Sequence, residues 1–205
     1  MQTGFTTPHK QSFLFSDNSS AQFIIHHKPF VVWLTGLSGS GKTTLGSQLH
    51  STLKSAGLAI ALLDGDIIRQ GLCSDLGYTQ EDRDENIRRV AEVSKLMLSV
   101  GVVVVVAFIS PTIKEREMAK NIIGNEHFIE VHVNASLKTC INRDPKGLYK
   151  KALLGEIKAF TGIDAPYEVP VSPNIKIDTE AITVEAATAE IWQFLEKNKF
   201  IELYH

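Results

Sequence analysis

The sequence predicts an α/β fold, a three-layer sandwich in which a parallel β-sheet lies between helices. Three observations carry that prediction. Short β-branched runs alternate with helix-period segments, the pattern of a sheet covered on both faces. The run "VGVVVVVAFI" (Val100 to Ile109) is apolar without alternation, as a strand buried on both faces must be. The stretch "GLSGSGKTT" stands between a predicted strand and a predicted helix.

In chain order, "FVVWLT" (Phe30 to Thr35) reads as a strand, and Lys42 to Ala56 as a helix ended by Gly57. "LAIALLD" (Leu58 to Asp64) is a second strand. Glu81 to Val100 places Ile87, Val90, Val93, Leu96, Met97 and Val100 at helical spacing. Val102 to Phe108 is a strand and Ile113 to Ile123 a helix, followed by the strand "FIEVHV" (Phe128 to Val133) and a short helix from Leu137 to Arg143. The chain closes with "NIKID" (Asn174 to Asp178) and a helix from about Val184 to Lys197. Residues 1–27 read as a flexible arm by composition. Residues 28–205 read as the domain that carries the chemistry.

Between these elements, "DPKGLYKKALLGEIKAFTGIDAPYE" (Asp144 to Glu168) keeps no steady period. It holds three glycines, two prolines and four lysines, but also Leu148, Tyr149, Phe160 and Tyr167, which a disordered linker would rarely carry. A long irregular segment inside a compact domain is most often a lid or binding loop.

The 205 residues carry a formal net charge of −2 and 43% hydrophobic residues. That balance points to no general nucleic-acid or membrane surface, so an anion site must be local. The start of the chain lacks the apolar stretch of an export signal. Cys73 and Cys140, without zinc or CxxC spacing, read as reduced thiols of a cytoplasmic protein.

Ligands of parallel sheets bind at the carboxyl ends of the strands. There, Gly36 to Thr43 satisfies G-x-x-x-x-G-K-[ST]. Its glycines let backbone N–H groups surround a phosphate at a helix N-terminus. Lys42 can reach the β- and γ-phosphates of a nucleoside triphosphate, and the Thr43 hydroxyl can ligate Mg²⁺. The loop does not name the acceptor. The second strand ends in "DGDIIRQG", where Asp64 can hold Mg²⁺ or accept a hydroxyl proton, although Asp-Gly is also a common turn pair. In "GYTQEDRDENIRRVAEV", Thr79 begins a helix on which Arg83, Asn86 and Arg89 share a face suited to an anion; a solvated charged face is the plainer alternative. Ser110-Pro111 brings a hydroxyl to the same sheet edge, unless Ser110 simply caps the next helix.

These motifs, with "AFISP", "IEVHVN" and above all "KGLYKKA…GEIKAFTGID", resemble the adenylylsulfate kinase (APS kinase) family from about Lys28 to about Thr179. The resemblance implies a P-loop kinase-type fold that transfers the γ-phosphoryl of ATP, with Mg²⁺, to the 3′-hydroxyl of adenosine 5′-phosphosulfate. The products are 3′-phosphoadenosine 5′-phosphosulfate and ADP. It further implies a nucleotide cradle of Gly36, Leu37, Ser38, Gly39, Ser40, Gly41, Lys42, Thr43 and Thr44, with Thr43 and Asp64 at the metal. Asp66, Arg69, Tyr78, Arg83, Asn86 and Arg89 match positions that hold the acceptor, Ile109 and Ser110 its turn, and Lys146 and Phe160 the lid (about residues 144–170). Ser110 matches a serine described in some members as a phosphoenzyme position. A homodimer is implied too.

The sequence departs from the family pattern at Tyr78, where phenylalanine is frequent, and at Thr112 and Ile113 after Ser110-Pro111. Rival expectations are a P-loop kinase for another small acceptor, a nucleotide switch (which would want an N-K-x-D motif, absent from the sequence), and a silent adenylylsulfate-binding protein.

Overall fold

The strands form one parallel sheet, whose central members carry side chains that must be covered on both faces. In the computed structural model, which describes residues 24–204, five strands build it: β2 (Val31–Thr35), β3 (Ile60–Asp64), β4 (Val103–Ala107), β5 (Phe128–Asn134) and β6 (Ile175–Asp178). Their order is β3-β4-β2-β5-β6, all pairs parallel. The chain turns one way from β2 to reach β3 and β4, then crosses to the other side for β5 and β6. The strand order therefore reverses at β2, and a crevice opens at its carboxyl end.

Two helical layers cover the sheet. On one face, α1 (Lys42–Ser55) and α7 (Val184–Lys197) bury Leu45, Leu49, Leu53, Ile191 and Leu195 against Val32, Leu34, Val103, Val105 and Val131. On the other, α3 (Gln80–Ser99) and α4 (Ile113–Ile123) bury Ile87, Val90, Ala91, Leu98, Ala119 and Ile123 against Val31, Trp33, Val104 and Val106. Leu96 and Val100, expected on the inner face of α3, are instead 67% and 71% exposed. Ser94 takes an inner position, its hydroxyl donating to the Val90 carbonyl at 2.8 Å. A 3.6-residue turn runs the inner stripe through 87, 90, 91, 94 and 98, which leaves 96 and 100 outside. Capping boxes begin two of these helices, Thr79 with Asp82 for α3 and Thr112 with Glu115 for α4. Thr112, not Ser110, is the cap of α4.

Two short helices were not legible from periodicity: α2 (Gly65–Gln70) and α6 (Leu148–Leu153), with α5 (Leu137–Arg143) between β5 and α6. The first is capped by Asp64, whose side chain accepts from the Asp66 amide at 3.0 Å. The second lies inside the segment expected to be irregular. Asp144 starts it by accepting from the amides of Tyr149 and Lys150.

A separate antiparallel pair joins β1 (Ile24–His27) to β7 (Ile201–Tyr204). The arm expected over 1–27 thus ends in a strand, and residues 1–23 lie outside the described residues. No described helix is long and apolar enough to cross a membrane.

Candidate active site

The phosphate loop follows β2 and leads into α1, so its backbone conformation comes first. Gly39 and Gly41 have φ of 75° and 104°, a region that costs any residue with a Cβ. Gly36 is fixed by space: a Cβ there would stand 2.3 Å from the Val133 carbonyl oxygen and 2.7 Å from Ser40 Oγ. Ser40 is fully buried, and its Oγ has no hydrogen-bond partner. The loop is thus a cradle shaped by the absence of side chains at two turns and one close approach.

Lys42 folds over this loop. Its Nζ donates to the carbonyls of Gly36 at 2.9 Å and Leu37 at 2.7 Å. Only 8% of the residue is exposed, and burial lowers its pKa to about 8. One position on, Thr43 Oγ1 donates to Asp64 Oδ2 at 2.8 Å, although β4 lies between β2 and β3. An alcohol and a carboxylate here are hard oxygen donors at a helix N-terminus. No group of three or more His, Cys, Asp or Glu among the described residues could hold a metal ion. The Thr43 hydroxyl and the Asp64 carboxylate fit Mg²⁺, which is commonly held by one or two protein oxygens together with substrate phosphates.

A cavity of about 760 Å³ extends from this loop. Ser38, Gly39, Gly41, Lys42, Thr43 and Thr44 line its phosphate-loop end, with Asp64 and Asp66 beside them. Arg69, Tyr78, Arg83 and Asn86 line another wall, Ile109 and Ser110 a third, and Lys146 and Phe160 the side formed by the 144–170 segment. Gly36, Leu37 and Ser40 shape the loop from behind rather than facing the cavity.

Along α3, Arg83 and Asn86 face inward. Arg83 Nη2 donates to the Ala159 carbonyl at 2.6 Å and Nη1 to Thr161 Oγ1 at 3.2 Å. Asn86 is 5% exposed, and its Oδ1 is buried without a partner. Arg69 lies over the Tyr78 ring, 4.5 Å from its centre. Arg89 departs from the expected grouping and does not line the cavity. Its guanidinium makes a two-pronged pair with Asp75, at 2.6 and 2.8 Å, while Nε donates to Glu85 at 2.9 Å. These two carboxylates and the Leu72 carbonyl, 3.0 Å from Nη1, engage the guanidinium away from the cavity.

Ser110 has φ of 38°, unusual for a residue with a Cβ, and is 2% exposed. Its Oγ accepts from Trp33 Nε1 at 3.1 Å. Across the cavity, Lys146 pairs with Asp66. Phe160 is half-buried and meets Tyr149 edge to face, ring centres 5.0 Å apart. The Tyr149 hydroxyl donates to the Ser38 carbonyl at 3.0 Å, tying the segment to the phosphate loop.

Sequence reasoning missed several lining residues, and two of them brace the phosphate loop. Arg143, at the end of α5, donates to the Thr179 carbonyl at 2.9 Å and to Thr179 Oγ1 at 3.0 Å. Thr179 Oγ1 in turn donates to the Ser40 carbonyl at 2.9 Å. Neither stands in a motif of its own; their only signal is place, Arg143 as the last residue of a helix and Thr179 just after a strand.

The arrangement can bind polyphosphate, hold a divalent cation, and bring a hydroxyl in a second pocket towards the phosphate loop. Comparison with known proteins gives the same direction. Residues 28–178 match the family described as Adenylylsulphate kinase. The chain is 50% identical over 183 residues to the adenylyl-sulfate kinase of Pseudomonas aeruginosa, covering 89% of this chain and 93% of that protein. It is 52% identical over 175 residues to that of Citrobacter koseri, covering 85% and 87%. Its fold is similar to Mycobacterium tuberculosis APS kinase in complex with AMPPNP and APS, with a TM-score of 0.80 and 39% identity over 83% of this chain and 99% of that one.

Proposed function

From the premise that this chain belongs to the adenylylsulfate kinase family, we propose how its residues divide the work of that family's reaction. The protein is an ATP-dependent phosphotransferase of sulfate activation. It moves the γ-phosphoryl of ATP to the 3′-hydroxyl of adenosine 5′-phosphosulfate, giving 3′-phosphoadenosine 5′-phosphosulfate and ADP. The observation that carries the division of roles is the contact of Thr43 with Asp64, which puts a metal-ligating hydroxyl and a proton-accepting carboxylate on one spot.

Phosphoryl transfer leaves little covalent work for a protein, so catalysis rests on positioning and on charge stabilisation. Lys42 and the loop amides hold the ATP phosphates. Thr43 and Asp64 would hold Mg²⁺, which when bound would supply positive charge against the transferring group. Asp64 also orients or deprotonates the 3′-hydroxyl. Arg83, Asn86, Arg69 and Asp66 hold the acceptor, with Tyr78 and Phe160 offering aromatic faces to its adenine. Arg89 acts at one remove, by bracing Asp75 and Glu85.

The acceptor hydroxyl is met on the Ile109–Ser110 side. Ser110 Oγ, already accepting from Trp33, helps place it, and direct transfer needs no phosphoserine. The 144–170 segment closes as a lid, since water would otherwise compete for the γ-phosphoryl. The Lys146–Asp66 pair and the bonds from Arg83 to Ala159 and Thr161 support that role.

The reading extends to a cytoplasmic homodimer whose kinase domain spans residues 28–205, with small molecules as its only partners. Family resemblance supports it, together with the near-neutral charge balance. Light scattering of the full chain should give twice the chain mass; a monomer at assay concentration would overturn the dimer.

Coupled ADP release tests the reaction and its acceptor together. ADP should appear with ATP and adenosine 5′-phosphosulfate and not with ATP and AMP. Equal turnover of the two acceptors would refute the assignment.

A further inference from the structure

We infer that Arg116 is a positioning residue of the acceptor pocket, clamping the Ile109–Pro111 turn to the chain at Tyr167 and Glu168. This rests on the reading of Ile109 and Ser110 as acceptor-side residues.

Arg116 belongs to α4, and its place in "KEREMAK" reads as surface charge. The fold buries it to 3% exposure. Its Nη1 donates to the Ser110 carbonyl at 2.8 Å, and its Nη2 to the Glu168 carbonyl at 2.7 Å. Its Nε lies 2.9 Å from Glu130 Oε1, which balances the charge. One planar fork therefore holds the two segments that bound the acceptor side. A lysine offers its donors from a single point and could not span the two carbonyls and the Glu130 carboxylate as this fork does.

Other bonds join the same two segments. Tyr167 and Thr35 hydroxyls are 3.0 Å apart, and Thr35 Oγ1 donates to the Ile109 carbonyl at 2.7 Å. The Thr35 proton is spent on that carbonyl, so the Tyr167 hydroxyl is the donor of the pair. The Glu168 amide donates to the Pro111 carbonyl at 2.8 Å, and Glu168 Oε2 accepts from the Ile113 amide at 2.6 Å. The Arg116 guanidinium also lies 5.9 Å from the centre of the Tyr167 ring.

This network surrounds the one residue of the acceptor turn with a positive φ, Ser110. Strained backbone persists only where its surroundings over-determine it. A buried ion pair is weak evidence for stability, because desolvation offsets its attraction. Arg116 and Glu130 are better explained by what the guanidinium holds in place. The clamp sets the position of Ser110 Oγ and Ile109 in the cavity, and so the line of approach of the acceptor hydroxyl.

The test uses Arg116→Lys, Tyr167→Phe and the double variant of the full chain, with Ile109→Ala as a probe of the turn itself. Acceptor KM, kcat, ATP affinity and melting temperature are measured for each. Arg116→Lys should raise acceptor KM about tenfold, the scale of a lost charge-assisted hydrogen bond, with ATP affinity unchanged. Tyr167→Phe should raise it less, and the double variant should cost less than the product of the two, because both act on one turn. Equal loss for ATP and acceptor, or lower melting temperature with acceptor KM unchanged, overturns the clamp. If Arg116→Lys does not fold, Tyr167→Phe decides by the same readouts. Ile109→Ala separates the two failures. If it raises acceptor KM while the clamp variants do not, only the clamp is wrong; if it has no effect, the acceptor-side reading is wrong as well.

Discussion

Arg83 of α3 donates to the Ala159 carbonyl at 2.6 Å and so joins the acceptor wall to the 144–170 segment. Arg89, two turns further along the same helix, is held by Asp75 and Glu85. Arg83 lines the cavity and Arg89 does not. Arg83→Ala should weaken adenosine 5′-phosphosulfate about tenfold or more, with ATP little changed. Arg89→Ala should act mainly on melting temperature. Separate titration of each nucleotide against both variants checks this; equal acceptor losses would return Arg89 to the binding set.

Asp64→Asn tests the proton and metal role without disturbing the fold. Asparagine caps a helix about as well as aspartate, so α2 should keep its start. Coupled ADP release should fall by roughly a hundredfold or more, the scale of lost general-base catalysis. Near wild-type turnover at unchanged melting temperature would remove Asp64 from the chemistry.

Lys42 gives a pH dependence with a defined sign. Its pKa of about 8 lies below the ordinary lysine value of 10.5, through burial. Between those values the unfolded chain binds more protons, so this residue's contribution to stability rises with pH and is least favourable below about 8. The shift corresponds to about 3 kcal/mol at most. Binding runs the other way: above pH 8 the free protein loses the charge that ATP needs. ATP affinity should fall there, with proton uptake on binding, measurable by calorimetry in buffers of different ionisation enthalpy. Lys42→Met should remove both the uptake and the transfer. Uptake that survives in the variant would place the titrating group elsewhere.

His132 predicts acid sensitivity. It is 3% exposed, its Nδ1 has no partner, and burial lowers its pKa to about 4. Between about 4 and 6.5 the unfolded chain takes the proton and the folded chain does not, so stability falls as pH falls through that window. Melting temperature should drop more steeply from pH 6.5 to 4 than in His132→Gln. Parallel curves would mean that another group sets the acid limit.

Phe160→Ala should lower acceptor affinity and melting temperature together. The ring lines the cavity and also packs edge to face on Tyr149, which anchors to Ser38. Loss of stability alone would make Phe160 a packing residue only.

The alternation of strand and helix periods, and the apolar run through Val103–Val106, determined a parallel sheet with two helical layers. "GLSGSGKTT" determined the phosphate cradle, because glycine spacing is itself the geometry of that loop. The 144–168 stretch was legible as an ordered segment without a steady period, too rich in aromatics to be a linker. What lay beyond reach had no local signal. The helix α6 inside the 144–170 segment has its first amides met by the Asp144 carboxylate, and the pairing of β1 with β7 joins opposite ends of the chain.

The tertiary structure alone decided which charged residues line the cavity. Helical spacing puts Arg83, Asn86 and Arg89 near one another, but only the carboxylates of Asp75 and Glu85 turn Arg89 away. Arg116 reads as solvated and is buried, because the turn at Ser110 and the carbonyl of Glu168 meet above it only after folding. Sequence periodicity reports which side of an element faces a core. It does not report which distant partner waits there, since that depends on contacts far apart in the chain.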